Sequence, residues 1–362
     1  MEKSKYFIYK KNKKEEPYYL VNQKEKKNLF LYDRLYPNGY FVQNKIYSAV
    51  FSIVNFQNEK HILCLLRNAS LDFRILNMRN EQGIMDTFFL LYEADSNYEQ
   101  FDKLADYVIE ELLKEENCFP RLLSLNERIR LIHRGCLLGK EENYLNVTDY
   151  IKAFPECKKD FHFDNLQFHE TGNEMRLDIE GEGGSMAVLG VQNYPEDKNV
   201  MERINTRILK NNYITAGIRI FESVSDQTVV GRMKTIYMGL DSQMVKLKKT
   251  DSEFYELFYN NMADDTARYT FCGCIALLCA ESNTELLEEL NRLSEEIRSD
   301  GGNLVVYRTG KRRVYENIIS ARIDGGYTRT IYTKNLEGMA ADSLLESRDS
   351  MDMMSILEKN LI

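Results

Sequence analysis

The sequence predicts an α+β protein, in which a β-rich N-terminal domain with attached helices precedes a layered α+β domain of the ferredoxin-like type. Short apolar segments separated by Asn, Gly and Pro dominate the first 77 residues, and two stretches between residues 98 and 138 have helical periodicity. Residues 268–345 then alternate between strand and helix patterns. The predicted boundaries are 1–150 for the first domain, 151–345 for the second and 346–362 for a C-terminal helical tail.

The first domain begins with a series of predicted strands between residues 5 and 77, spaced as in a meander or small barrel. Its clearest break is Pro37-Asn38-Gly39, because Pro fixes one turn dihedral and Asn-Gly tolerates positive φ. The strand candidates are YFIYK, PYYLV, NLFLY, YFVQ, KIYSAVFSIV, HILCLL and LDFRIL.

Two amphipathic helices are predicted after these strands, over Tyr98–Lys114 and Leu122–Leu138. In each of them apolar residues recur at intervals of three or four positions, which places them on one face for burial. Phe119-Pro120 separates the two helices, because the residue before a proline is biased away from the helical region.

The second domain follows a connection at residues 148–159, where Pro155 marks the predicted boundary. The segments NEMRLDIE and SMAVLGV, joined by a Gly-rich turn, predict a β-hairpin because the first alternates apolar and polar residues. No internal sequence repeat is evident. Further along, the pattern predicts a helix over Val200–Leu209, a buried strand over Tyr213–Phe221 and a long helical region over Asp226–Met262.

The stretch from Arg268 onwards has the most regular pattern in the chain. RYTFCGCIALLCA is apolar on both faces and therefore predicts a central strand that is covered on both sides. Ser282 or Asn283 can cap the amphipathic helix that follows, and this helix is expected to end before Asp300-Gly301-Gly302. Beyond it the sequence predicts a strand over Asn303–Arg308 and a short helix, or a turn into a strand, over Val314–Ile323.

This stretch resembles the N-terminal region of the conjugative ATPases of type IV secretion systems, the TraE/TrbE/CagE (VirB-family) group. The similar features are a strand, the helix TELLEELNRLSEEI, a Gly-Gly pair, a second strand, a basic turn and YTKNLEGMA. Two further segments are similar in the same order, ERIRLIHRGCLLGKEENY at Glu127–Tyr144 and MAVLGVQNYPED at Met186–Asp197. Together the similar segments span roughly residues 120 to 340.

The resemblance implies a non-catalytic assembly and docking module of a conjugation or type IV secretion machine. In the family, ATP hydrolysis belongs to a C-terminal domain, and a segment similar to Thr330–Leu336 leads towards it. Here the family's Pro-Phe pair is absent, Asp342-Ser343 stands near its place, and no ATPase domain follows. We therefore expect the N-terminal part of an ATPase subunit, or a part split from one, with other secretion-machine proteins as partners and with self-association.

Composition and cysteine usage favour a cytoplasmic protein. The seven cysteines form no CxxC pair, and their odd number argues against a disulfide framework. No run approaches the roughly 18 apolar residues that span a bilayer, and Met1–Lys14 carries too many lysines for a secretory signal. We expect contact with the inner face of the cell membrane to be peripheral and to occur through partners.

The charge is distributed unevenly along the chain. Residues 1–27 hold nine Lys and four Glu, a net charge of +5. Since the whole chain has a net charge of −8, the remaining residues carry −13. A body this acidic repels a phosphate backbone, so general DNA binding is disfavoured. The arm KKNKK could still contact nucleic acid or anionic lipid, or it could be a solvated terminus.

The sequence predicts no nucleotide site. Phosphate-binding glycines lie between a strand and a helix, whereas GEGGS lies between two predicted strands and adds Glu182 to the turn. Thr309-Gly310-Lys311 fails the Walker pattern, because Val305 stands where Gly is required and Arg312 stands where Ser or Thr is required.

Two sets of residues are candidate metal ligands: Cys157, His162 and His169, and Cys272, Cys274 and Cys279. The odd separation of His162 and His169 would place them on opposite faces of a strand, which spoils the geometry. The second set lies inside an apolar strand, where free cysteine behaves as a small hydrophobic residue. The sequence therefore predicts no metal ligands.

No catalytic or cofactor-binding residue is predicted either. His61 begins a predicted strand, His133 lies on a helix, and no GxSxG motif is present. The pairs Glu288-Glu289 and Glu295-Glu296 are expected on the exposed face of the helix over residues 283–299. Exposure to solvent accounts for these charges without a catalytic role.

Two surfaces suggest binding to a partner. Between Glu281 and Asp300 seven acidic residues accompany two Arg, which exceeds what pairing along a helix needs and suits a basic partner. The tail from Leu344 onwards has a Met-rich apolar stripe if it is helical, which could dock on another protein or pack on its own domain.

Two alternatives from other classes remain open: an enzyme with an unrecognised site between the two domains, and a binding protein that uses the Lys-rich arm. A thermal-shift screen with nucleotides and metals tests the first, since a ligand at 100 times its Kd adds roughly 2.7 kcal/mol. Salt-dependent retention on DNA or anionic lipid, lost on deleting residues 1–14, would favour the second.

Overall fold

A computed structural model describes most of the sheet and its helices. The described residues are 19–20, 34–43, 45–54, 59–68, 71–80, 82–114, 118–136, 167–171, 174–179, 182–195, 197–223, 269–307, 311, 315 and 329–341. Within these ranges the chain is a mixed αβ protein with a large antiparallel sheet and five α-helices.

The described strands range from two to 12 residues in length. They are β1 Tyr19–Leu20, β2 Arg34–Leu35, β3 Phe41–Gln43, β4 Ile46–Val54, β5 Phe73–Arg79, β6 Met85–Glu93, β7 Phe119–Leu122, β8 Gln167–Thr171, β9 Glu174–Ile179, β10 Glu182–Asn193, β11 Ile214–Ser223, β12 Tyr269–Ala280, β13 Asn303–Val306 and β14 Arg329–Tyr332. The helices are α1 Glu59–Asn68, α2 Tyr98–Leu112, α3 Leu125–Cys136, α4 Lys198–Lys210 and α5 Asn283–Ser299, and Thr333–Met339 forms a 3-10 helix.

All described strands join one sheet in the order β1-β2-β3-β4-β6-β5-β11-β12-β10-β9-β8. Three further strands pair off this path, β7 with β4, β13 with β10 and β14 with β12. Every described pairing is antiparallel.

The second half of the chain repeats the order of elements of the first. The first unit runs β2-β3-β4-α1-β5-β6-α2-β7 and the second runs β8-β9-β10-α4-β11-β12-α5-β13. Each of the five strand pairings in the first unit has its counterpart in the second. The repeat is one of topology and not of sequence, because strand pairing repeats while the residues differ.

The two units meet edge to edge through β5 and β11. Their register runs from Phe73 opposite Phe221 to Met78 opposite Ala216. The rings of Phe73 and Phe221 stack with centroids 4.6 Å apart. Residues 1–150 and 151–345 thus contribute to one sheet, while the predicted boundary near Pro155 lies outside the described residues.

Helices and loops cover the two faces of the sheet differently. One face packs against α1, α2, α4, α5 and residues 336–340 in a core that includes Phe101 and Leu293. The other face packs against α3 through Leu125 and Ile129. Strand β12 is central, between β10 and β11, and contributes buried residues to both cores, which confirms the prediction for RYTFCGCIALLCA.

Most predicted helices are confirmed within one to three residues at each end, because capping residues and periodicity fix them locally. Asn97 forms a capping box with Gln100 at the start of α2, and Ser282 caps α5. The hairpin of β9 and β10 and the strands β11 and β13 are also confirmed. Strands β6 and β7 were not predicted.

The prediction of a strand for HILCLL is wrong, because these residues belong to α1. Short apolar runs are ambiguous between strand and helix by periodicity alone. In α1, Ile62 and Leu63 are buried while His61 is exposed, as expected for one face of a helix.

Several other predictions concern residues that the structure does not describe. They are the strands YFIYK and NLFLY, the helical region Asp226–Met262, most of Val314–Ile323, and the tail 346–362. Among the helices that are described, none combines the length and apolar character needed to cross a bilayer.

Candidate functional site

A cluster of buried polar residues surrounds Arg219, an arginine in strand β11. Its strand, ITAGIRIFES, is apolar on both sides of it, and its side chain is 0% exposed. A buried charge is stable only when it is paired and hydrogen-bonded. Arg219 Nη1 lies 2.6 Å from Glu59 Oε1, and Nη2 donates to Asn77 Oδ1 at 3.1 Å.

This ion pair connects both units with residues 333–341, which follow β14. Arg219 Nη1 also donates to the carbonyl oxygen of Met339 at 2.9 Å. Glu59, the first residue of α1, accepts the backbone N–H of Ala341 through Oε2 at 3.0 Å. Arg219 belongs to the second unit and Glu59 to the first, so the pair ties three separate parts of the chain together.

A second polar group beside it comes from α4 and its preceding turn. Tyr194 Oη donates to Asn205 Oδ1 at 2.6 Å, and Asn205 Nδ2 donates to the carbonyl oxygen of Gly338 at 3.4 Å. Burial raises the pKa of Tyr194 well above its ordinary value and raises the pKa of neighbouring Cys274 to about 11. Both groups are therefore neutral at physiological pH and serve as hydrogen-bonding and packing groups.

Glu337 holds the outer edge of the 333–341 segment. Its carboxylate lies 3.0 Å from Lys198 Nζ and accepts a hydrogen bond from Cys64 Sγ at 3.3 Å. Lys198 belongs to α4 and Cys64 to α1, so Glu337 bridges the two helices. Lys198 and Glu337 are each about two-fifths exposed, so the bridge is worth little by itself.

A second buried arginine, Arg74, lies on the opposite face of the sheet. Arg74 Nη2 is 3.4 Å from Glu222 Oε1, and its guanidinium carbon lies 5.3 Å from the centroid of the Tyr92 ring. Tyr92 Oη donates to the same oxygen of Glu222 at 3.2 Å, and burial raises the pKa of Tyr92. Because Arg74 is in β5 and Glu222 is in β11, this pair also links the two units.

The acidic helix α5 is partly neutralised within the chain. Arg203 and Arg207 of α4 pair with Asp300 at 3.1 and 3.0 Å, and Arg207 also approaches Glu296 at 3.5 Å. Three of the seven acidic residues pair with arginines: Glu289 with Arg292, Glu296 with Arg292 and Arg207, and Asp300 with the two α4 arginines. Glu285 accepts a hydrogen bond from the neutral hydroxyl of Tyr213. The surface left for a basic partner is smaller than the sequence indicated.

The prediction that Glu289 lies on the exposed face is wrong: it is only 8% exposed, because it packs towards Asn211, and it gives a pH-dependence prediction for this helix. Burial alone would raise its pKa, but hydrogen bonds from Arg292 and Asn211 hold the pKa of Glu289 below its ordinary value. A lowered folded-state pKa means that Glu289 stabilises the fold above its unfolded-state pKa and loses this contribution as the pH falls through the folded-state value.

We therefore expect the stability gap between the natural protein and Glu289→Gln to be larger near about pH 7 than near about pH 3. Urea unfolding at both pH values measures it. Glu288→Gln, at an exposed position one residue away, is the matched control. A gap for Glu289→Gln that stays constant or grows towards low pH would contradict the prediction.

Those residues considered from the sequence that the structure describes have structural roles, whereas Cys157 and His162 lie outside the described residues. Cys272 and Cys274 are buried in the core, as predicted, and burial raises the pKa of Cys279 to about 12. Lys311 is 1% exposed, and residues 182–185 of GEGGS belong to strand β10, where they pair with β9. Within the described ranges, no group of three or more His, Cys, Asp or Glu side chains is arranged to hold a metal ion.

Sequence reasoning missed Arg219, Glu59 and Asn77. The available signal was a charged or amide side chain at an inward position of an otherwise apolar strand, as in GIRIF and RILNM. Such a residue requires a buried partner, but the sequence does not show which one.

An open groove of 320 Å³ lies on the outer side of α4, lined by Asn199, Glu202, Arg203, Thr206 and Arg207. Its arginines are held by Asp300, and Glu202 pairs with Lys60 of α1 at 2.7 Å. The groove therefore lies over the salt bridges that join α4 to its neighbours.

No protein-family model matches the chain, and no curated protein matches it.

Proposed function

We propose that this chain is a non-catalytic assembly and docking module of a conjugation or type IV secretion machine, forming the N-terminal part of its ATPase subunit or a part split from it. It would act in the cytoplasm, at the inner face of the membrane, with other secretion-machine proteins as partners and with self-association. The resemblance of residues 268–345 to that family motivates the proposal.

At the level of fold we propose that each unit is of the ferredoxin-like type. Taken without their leading hairpins, both units have the order β-α-β-β-α-β, with the fourth strand beside the first and the third between the first and second. The β-rich N-terminal domain would then be one such unit with the hairpin strands β1–β3 added.

The anchoring of the 333–341 segment is the observation that supports the function best. In the resembled family, a segment similar to Thr330–Leu336 leads towards the ATPase domain. Here Arg219, Glu59 and Asn205 bind the backbone of the residues just beyond it. A domain attached to the chain after the 333–341 segment would be held against both units at once, as a docking module requires.

The test is genetic, in the cells that encode the chain. Deleting its coding sequence should reduce conjugal transfer to background, and expression of the natural chain in trans should restore it. Transfer that continues at the original frequency would overturn the proposal.

A biochemical assay tests the non-catalytic part separately. The purified 362-residue chain should show no magnesium-dependent ATP hydrolysis above a buffer control. Turnover that copurifies with the chain through successive columns would contradict this part, even if the transfer assay succeeded.

A further inference from the structure

We infer that the space between α1 and α4, above strands β5 and β11, is a peptide-binding groove whose resident ligand is this chain's own 336–341 segment, LEGMAA. This inference concerns a binding site and does not require the proposed secretion role, although both use the hydrogen bonds that anchor residues 338–341. Four observations carry it.

The repeat of elements places the groove at the junction of the two units. Helices α1 and α4 are equivalent elements, each following the first core strand of its unit, and they flank the paired strands β5 and β11. Lys60 and Glu202 join the two helices through a 2.7 Å ion pair. The 333–341 segment packs against both helices.

Side chains of the groove recognise the segment through its main chain. Arg219 binds the carbonyl oxygen of Met339, Asn205 binds that of Gly338, and Glu59 accepts the N–H of Ala341. These three residues come from β11, α4 and α1. Recognition of main-chain groups, with pockets for selected side chains, is how peptide-binding sites combine affinity with specificity.

The side chains of the segment define the class of peptide that fits. Leu336 and Met339 are 1% and 0% exposed and act as apolar anchors. A Cβ at Gly338 would lie 3.0 Å from Cα and O of Lys198 and from Cβ of Met201, so any side chain here would require the α4 backbone to shift and Gly is favoured. The groove therefore fits a short peptide of the pattern apolar, acidic, Gly, apolar, Ala, Ala.

The floor of the groove is ionic, so it can be hydrated when the segment leaves. Arg219 and Glu59 remain paired with each other in that state, and water can replace the backbone groups of Met339 and Ala341. Among the described residues, Arg219 Nε has no hydrogen-bond partner and offers a further donor.

A labelled synthetic peptide of sequence IYTKNLEGMAA, residues 331–341, tests the inference with the full chain. The natural protein should not bind it, because the tethered segment competes at a high effective concentration. Met339→Asp replaces a buried anchor with a charge and should release the resident segment, so that this variant binds the peptide in fluorescence anisotropy. The control is the same peptide with Gly338→Val, which should fail to bind.

Absence of peptide binding by a folded Met339→Asp variant, as judged by circular dichroism, would overturn the inference. Hydrogen exchange of the natural chain decides the case if that variant does not fold. Amides of residues 336–341 should exchange about tenfold faster than those of β11 and β12, through local release of the segment. Exchange at the same rate as these strands would show that the segment is part of the core and would also overturn the inference.

Discussion

Arg219→Met should lower the free energy of unfolding by about 3–5 kcal/mol, because it removes the buried guanidinium that pairs with the carboxylate of Glu59. Glu59 is 1% exposed and would keep only the N–H of Ala341 among the hydrogen bonds described above. Asn77 would also lose the donor to its side-chain oxygen. Urea or guanidinium unfolding followed by circular dichroism measures the change.

Two further variants separate the ion pair from a general effect of losing arginine. Arg203→Met removes a half-exposed arginine that pairs with Asp300 and should change stability by less than about 1 kcal/mol. The double variant Arg219→Met, Glu59→Leu should recover much of the loss, because a buried pair replaced by apolar residues is often neutral. A double variant as unstable as the sum of the single variants would contradict a direct coupling between the two residues.

Gly39→Ala should be the most damaging glycine substitution in the described part of the chain, with a loss of about 3 kcal/mol. Gly39 has φ +86°, where an L-residue is strained, and a Cβ there would lie 2.0 Å from the carbonyl oxygen of Leu123. The two contributions add, because relieving the collision would require moving the backbone that leads into α3. Thermal and urea unfolding measure the loss.

Gly301→Ala provides the matched control for the backbone strain. Gly301 has φ +82°, nearly the same conformation, but nothing lies within 4 Å of the Cβ position. This variant should cost about 1 kcal/mol, the strain of the left-handed conformation alone. Equal losses for the two variants would show that contact with Leu123 contributes nothing.

The turn at Gly39 shows how far local sequence patterns reach. Pro37-Asn38-Gly39 was identified as a turn from residue types alone, and Gly39 N donates to the carbonyl oxygen of Tyr36 at 2.9 Å. The sequence indicated the need for positive φ but not the contact with Leu123, which lies 84 positions away.

The short reach of local sequence patterns also explains which strands and helices could be predicted. The helices α2, α4 and α5 were predictable because their caps and apolar spacing lie within a few residues of each other. The segment HILCLL was not, because a short apolar run fits both periods and packing decides between them. The repeated topology was hidden for a related reason, because many different apolar residues satisfy the same buried strand. A match as short as Ala49-Val50-Phe51 with Ala187-Val188-Leu189, which are equivalent in position, does not by itself indicate a repeat.

The sequence by itself determined the mixed αβ class, the central and doubly covered strand β12, and the ends of the well-capped helices, since these depend on residues close together in the chain. Only the tertiary structure decided the order of the strands, the junction of β5 with β11 and the position of the 333–341 segment. The buried cluster around Arg219 depends on Asn77, which is 142 positions away. Its charges are stable because distant elements bring their partners together, and no local pattern specifies which partners these are.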